Sequence, residues 1–148
     1  MRKTFLVALV AALAVAAVAV PAMAAQQFTT VRATLEPAGD PDGTGSALLE
    51  LDAGDEAVCY RIQTQNVTTP ITGAAIVSAE TGEIAVELLV IDRGPELVEC
   101  VSVSRFQGHG RRELRRIGKD PGGYFLELYN DEHPSSPGAA RGQLEGVS

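Results

Sequence analysis

The residues best equipped for chemistry are few. The chain of 148 residues has two histidines, His109 and His133, and two cysteines, Cys59 and Cys100. Against a formal net charge of −7 it carries one dense basic run, Arg111, Arg112, Arg115 and Arg116. A closed zinc site takes four ligands, mostly Cys and His. If the cysteines pair with each other, only His109, His133 and carboxylates remain. Both histidines sit beside Gly or Pro and are expected in solvated loops, so no metal or other cofactor is expected. Acidic turns at Asp40/Asp42 and at Asp52/Asp55/Glu56 offer the oxygen ligands that calcium takes, but neither has EF-hand spacing. They too are expected to be solvated.

Nucleophilic catalysis needs a Ser or Cys beside a base that a third group orients. The chain has no G-x-S-x-G, and His133, Ser135 and Asp131 are neighbours in sequence only. No spacing singles out the carboxylate pair of a glycosidase, and with no Trp the chain is poorly equipped to stack sugars. No enzyme is expected. The arginine run is suited to bidentate contact with a phosphate, a sulfated glycan or an acidic partner. Its plainer reading is a solvated patch offset by the acidic remainder. An acidic chain has no overall attraction for nucleic acid.

Where the chain works bears on the cysteines. Arg2 and Lys3 are followed by an apolar run, Phe5–Val20, then Pro21 and the small-x-small pattern Ala22-Met23-Ala24. This is the anatomy of a secretory signal peptide, 1–24, cut after Ala24. The run is shorter than the roughly 20 residues that a membrane-spanning helix needs. No Cys follows it to carry a lipid, and no later apolar stretch holds the product in a membrane. The expected product is a single domain, 25–148, secreted or otherwise extracytoplasmic, with a charge of −9 once Arg2 and Lys3 are gone. An oxidising compartment favours a Cys59–Cys100 disulfide, closing a loop of roughly 40 residues worth about 3–4 kcal/mol on the chain-entropy view. The alternative is two buried free thiols. Asn66-Val67-Thr68 is a glycosylation sequon, a pattern common enough by chance to carry little weight.

The elements that must position these residues have a period of two almost throughout, the mark of strands. Val31, Ala33 and Leu35 alternate with Arg32 and Thr34. Ala47, Leu49 and Leu51 alternate with Glu50 and Asp52. Val58, Tyr60 and Ile62 share a face opposite Cys59, Arg61 and Gln63, so a disulfide at Cys59 is expected to staple the flank of a sheet rather than cross the core. Further strands are expected over Ile71–Ser78, Ile84–Ile91, Leu97–Ser104, Tyr124–Tyr129 and Ala139–Leu144. Ile84–Ile91, apolar on both faces, is expected to be central. Arg111–Gly118 changes period: Leu114 and Ile117 among the arginines make a short amphipathic helix ended by Gly118 and Pro121. The predicted fold is an all-β, antiparallel, Greek-key-like sandwich or barrel of about 7–8 strands with one short helix.

Several segments, taken in order, resemble the CHRD domain, a module of the extracellular protein chordin and of many secreted bacterial proteins. They are Phe28–Leu35; Gly45–Leu51 followed by Val58-Cys59-Tyr60-Arg61-Ile62; Glu99-Cys100-Val101; Asp120-Pro121-Gly122-Gly123-Tyr124-Phe125-Leu126; and the ending Pro137-Gly138-Ala139-Ala140-Arg141-Gly142-Gln143-Leu144. The ending is the most specific. The residues matching family motifs are Tyr60, Pro121, Tyr124, Gly138, Arg141, Gly142, Gln143 and Leu144. In that ending Arg141 is expected to pair with a strand carboxylate, and Gly142 to permit close backbone approach. The family usually carries a His-x-His pair and an Asn-x-His. Here Thr72–Ile76 and Leu126–Asn130 hold no histidine, so no role of those histidines carries over. The resemblance implies a fold more than an activity. The leading expectation is a secreted, non-enzymatic β-sandwich module that binds a protein or glycan, or forms part of a layer, outside the cytoplasm, with Arg111–Arg116 as its contact patch. The competing reading is a metal-binding or enzymatic domain on a superoxide-dismutase-like Greek key.

Overall fold

A computed structural model describes residues 28–88, 90, 94–103 and 110–147; Met1–Ala24 and His109 lie outside them. The described chain forms β1 (Phe28–Pro37), β2 (Thr44–Asp52), β3 (Ala57–Gln65), β4 (Ile71–Ser78), β5 (Ile84–Leu88), β6 (Glu96–Ser102), α1 (Gly110–Lys119), β7 (Tyr124–Asn130) and β8 (Ala140–Gly146). A single 3-10 turn, Pro121–Gly123, leads into β7. The eight strands make one antiparallel sheet in the order β5-β4-β7-β8-β1-β2-β3-β6, curled into a nearly closed barrel. β1, β2 and β3 are a meander. The β3–β4, β5–β6 and β6–β7 connections join strands that are not neighbours, as in a Greek key.

The inward faces follow the period-two pattern. Val31, Leu35, Leu49, Leu51, Val58, Tyr60 and Ile62 meet Ile76, Val86, Leu126, Leu128 and Leu144 in one buried cluster. Full burial of each such aliphatic side chain stabilises the fold by roughly 1.5–3 kcal/mol. α1 adds Leu114 and Ile117 to this cluster and touches β1, β2 and β5. With its apolar residues turned in, its arginines must point out. β8 joins the two halves of the barrel, pairing with β7 through Ala140–Gln143 and with β1 through Ala140, Arg141 and Leu144–Gly146.

One expectation is corrected. The Ile84 segment is not central: β5 is an edge strand, with Val86 and Leu88 buried and Ile84 and Glu87 exposed. The strand buried on both faces is β4, where Ala74, Ala75, Ile76 and Val77 are all buried. Small residues let a second layer of side chains close over β4, whereas the bulky apolar run of β5 reads as central only if its neighbours are ignored.

Candidate functional site

Four groups of chemically capable side chains are placed by this fold. The first is the cysteine pair. Cys59 on β3 lies directly opposite Cys100 on β6 and is bonded to it, with an S–S distance of 2.10 Å. Cys59 is half-buried and Cys100 exposed, so the bond staples an edge strand on the outer face, as the alternation implied.

The second is the arginine run, which the helix divides. Arg111 donates to the carbonyl of Gly54 at 3.0 Å and faces Glu56 at 3.8 Å. Arg116 pairs with Glu113 at 3.3 Å. Arg112 and Arg115 are exposed and have no hydrogen-bond or ion-pair partner among the described residues. Arg112, Glu113, Arg116 and Tyr124 border a shallow cleft of about 350 Å³ whose other wall carries Glu80 and Glu83. Tyr124 donates to Glu113 at 3.1 Å; burial first, then that bond, raises the phenol above its usual pKa.

The third group is built on the family-like ending. Arg141 on β8 lies 3.3 Å from Glu127 on β7 and stacks over the Phe125 ring at 3.7 Å. Glu127 is fully buried, and it also accepts from Tyr129 Oη at 2.9 Å and from Ser136 Oγ at 3.0 Å. The expected pairing of Arg141 with a strand carboxylate is therefore present. Burial, then the bond to Glu127, pushes the Tyr129 phenol well above its ordinary pKa. Gly142 lies so close to β1 that a Cβ there would fall onto the Thr34 carbonyl. Gly138 has φ 78° and lies equally close to the Leu128 carbonyl, so no side chain is tolerated. Gln143 donates to the Gly122 carbonyl at 2.6 Å and ties β8 to the turn that Pro121 opens. Leu144 and Tyr60 belong to the core. Burial, then Glu99, pushes the Tyr60 phenol up to about 12. Thr72–Ile76 and Leu126–Asn130, where the resemblance places histidines, are paired on β4 and β7. In this chain the Glu127–Tyr129–Arg141 network stands there instead.

The fourth group was not legible as a group. Asp40 is not a solvated turn acid: it is 3% exposed and accepts from Thr68 N at 2.8 Å, Thr68 Oγ1 at 3.3 Å and Asn130 Nδ2 at 3.2 Å. His133 Nε2 is 3.5 Å from Asp40 Oδ1, and Glu132 adds a carboxylate beside them. The sequence placed Asp40 and His133 in separate loops. Only the cross-barrel pairing of β7, β8 and β1 brings them together. Asp52 is likewise buried, accepting from the backbone N–H groups of Gly54 at 2.8 Å and Asp55 at 3.0 Å to hold the β2–β3 turn. Asp42 stays exposed.

Comparison with known proteins agrees with the resemblance. The family model described as the CHRD domain matches residues 23–144. No curated protein and no solved structure matches the chain.

Proposed function

The chain belongs to the CHRD domain family, and from that premise we propose that it is a non-enzymatic binding module working outside the cytoplasm. The signal-peptide anatomy of residues 1–24 and the outer-face disulfide both support that location. Among the described residues no helix is long and apolar enough to cross a membrane. The partner is an acidic protein or glycan.

One observation carries the reading. In a chain of net charge −7, Arg112 and Arg115 are exposed on α1 with no hydrogen-bond or ion-pair partner among the described residues, Arg112 at the rim of the cleft that Glu80 and Glu83 also line. A buried or paired arginine serves the fold; an outward, unpaired pair is free to grip a carboxylate or sulfate in two-pronged fashion. Arg111 and Arg116 support the helix and its turn instead.

The test is retention on immobilised heparin, used as a polyanionic glycan, beside an immobilised acidic peptide. The wild type should be retained on one of them and released by salt. Arg112→Ala with Arg115→Ala should abolish retention, and Arg111→Ala should leave most of it. Passage of the wild type through both columns, or undiminished retention of the double variant, would sink the reading.

A further inference from the structure

We propose that Asp40, Glu132 and His133 form an open, three-ligand site for a divalent transition-metal ion of the zinc class. One ligand atom from each residue lies within 4.8 Å of the other two. The pair formed by His133 and Asp40 is the informative one. His133 Nε2 and Asp40 Oδ1 are 3.5 Å apart, beyond the about 2.7–3.2 Å of a good N–H···O bond. Two ligands bound at about 2.0–2.1 Å to a tetrahedral ion lie about 3.3–3.4 Å from each other. The gap therefore fits two atoms sharing an ion better than two atoms sharing a proton.

The surroundings hold these atoms as metal ligands are held. One buried side chain positions both residues: Asn130 Nδ2 donates to Asp40 Oδ2 at 3.2 Å, and Asn130 Oδ1 accepts from His133 N at 2.8 Å. Thr68 N fixes the same Oδ2 at 2.8 Å, while Oδ1 accepts from Thr68 Oγ1 at 3.3 Å and faces the imidazole. The ring itself lies flush on Gly39, where a Cβ would collide with His133 Cγ and Nδ1. Such outer contacts orient ligands and raise metal affinity. Glu132 is exposed and closes the set from the solvent side, leaving the fourth position to water. Two carboxylates balance a dication. A donor set with an imidazole selects zinc-like ions over calcium or magnesium, which prefer oxygen throughout. None of this rests on the arginines of α1.

Equilibrium dialysis of the purified protein against micromolar zinc tests the assignment, with zinc counted by elemental analysis. The wild type should take up one equivalent. Asp40→Asn endangers folding because Asp40 also holds Thr68 and Asn130, so the test falls on the two residues nearer the surface. His133→Ala should weaken zinc binding on the order of a hundredfold and Glu132→Gln about tenfold, by analogy with the loss seen when ligand supports are removed. His109→Ala, the chain's other histidine, should change nothing. In nitrogen-resolved NMR, zinc should shift His133 Nε2 and not Nδ1. No uptake by the wild type would leave the cluster an ion pair only and overturn the proposal. So would equal binding by His133→Ala, or displacement of zinc by an equal concentration of calcium.

Discussion

The two halves of the barrel treat their outer faces differently. On β1, β2, β3 and β6 the outward residues, such as Arg32, Thr34, Leu48, Glu50, Arg61, Gln63 and Val98, are exposed to water. On β4 and β7 the residues turned from the core, Ala75, Val77 and Glu127, are as buried as the core itself. Arg141, Tyr129 and Ser136 close over Glu127. The wet half gains from its outer face one covalent staple and a few exposed ion pairs. The covered half holds a buried acid that must be satisfied wherever it points. The contrast shows that polar side chains on this barrel are structural where they are covered and available where they are not.

The largest effect expected from breaking this comparison is in the wet half. Cys59→Ser with Cys100→Ser should cost about 3–4 kcal/mol in urea unfolding, because the loop between residues 41 apart is no longer closed. In the covered half, Glu127→Ala should cost about 3 kcal/mol, since it strands Arg141 and removes the acceptor of Tyr129 and Ser136. Glu127→Leu combined with Arg141→Met and Tyr129→Phe should recover much of that loss, because the buried carboxylate, its arginine and the Tyr129 hydroxyl go together and only the exposed Ser136 hydroxyl is released, to water. A loss under about 1 kcal/mol for Glu127→Ala would show that the outer face of β7 is wetter than the contacts imply.

Two tyrosines, half-buried Tyr129 in the covered half and buried Tyr60 on the inner face of β3, also set an alkaline limit. Burial raises the Tyr129 phenol, as does its bond to Glu127, and burial raises Tyr60 to about 12. In the unfolded chain both lose a proton near the reference value of about 10. The native state keeps its protons where the unfolded state releases them. Stability is therefore full below about pH 10 and falls as the pH rises from there through the folded values. Urea midpoints across that range should decline, and Tyr129→Phe should decline less steeply, by about one proton's worth of slope. A variant with the wild-type slope would show that Tyr129 is free to ionise in the native state. Tyrosinate absorbance follows the same event directly.

Legibility in the sequence tracks the same division. β1, β2 and β3 were plain because a dry face opposite a wet face writes strict alternation, and Cys59 fell on the wet side with Arg61 and Gln63. The helix was plain because Leu114 and Ile117 stand among arginines at helical spacing. β4 and β5 were harder. An apolar run is the same string whether a second layer of side chains covers it or it lies at an edge, and the small residues of β4 hid its double burial. The Arg141–Glu127 pair was half legible: the ending called for a carboxylate, and only the β7–β8 register says which one. Asp40, Asn130 and His133 were illegible together, because Asp40 and His133 are loop residues, which carry no period, and their meeting with Asn130 at the end of β7 depends on how β8 bridges the two halves.

The smallest predicted effect is also the sharpest control. Arg32 and Glu145 pair at 3.1 Å with side chains 63% and 64% exposed. At that exposure the attraction is screened, and ordering two long side chains offsets most of it. Arg32→Ala and Glu145→Ala should each change stability by less than about 0.5 kcal/mol, and their double-mutant coupling should vanish in molar salt. The same cycle on Arg141 and Glu127, at a nearly equal distance of 3.3 Å, should give a coupling several times larger that salt barely moves. Distance is then nearly matched; burial differs, and so does the bonding, since Arg32 Nε donates to Glu145 at 3.1 Å while buried Arg141 Nε has no hydrogen-bond partner among the described residues. Equal couplings in the two cycles would mean that the outer layer over β7 excludes no water, and that the two halves differ in sequence pattern but not in physics.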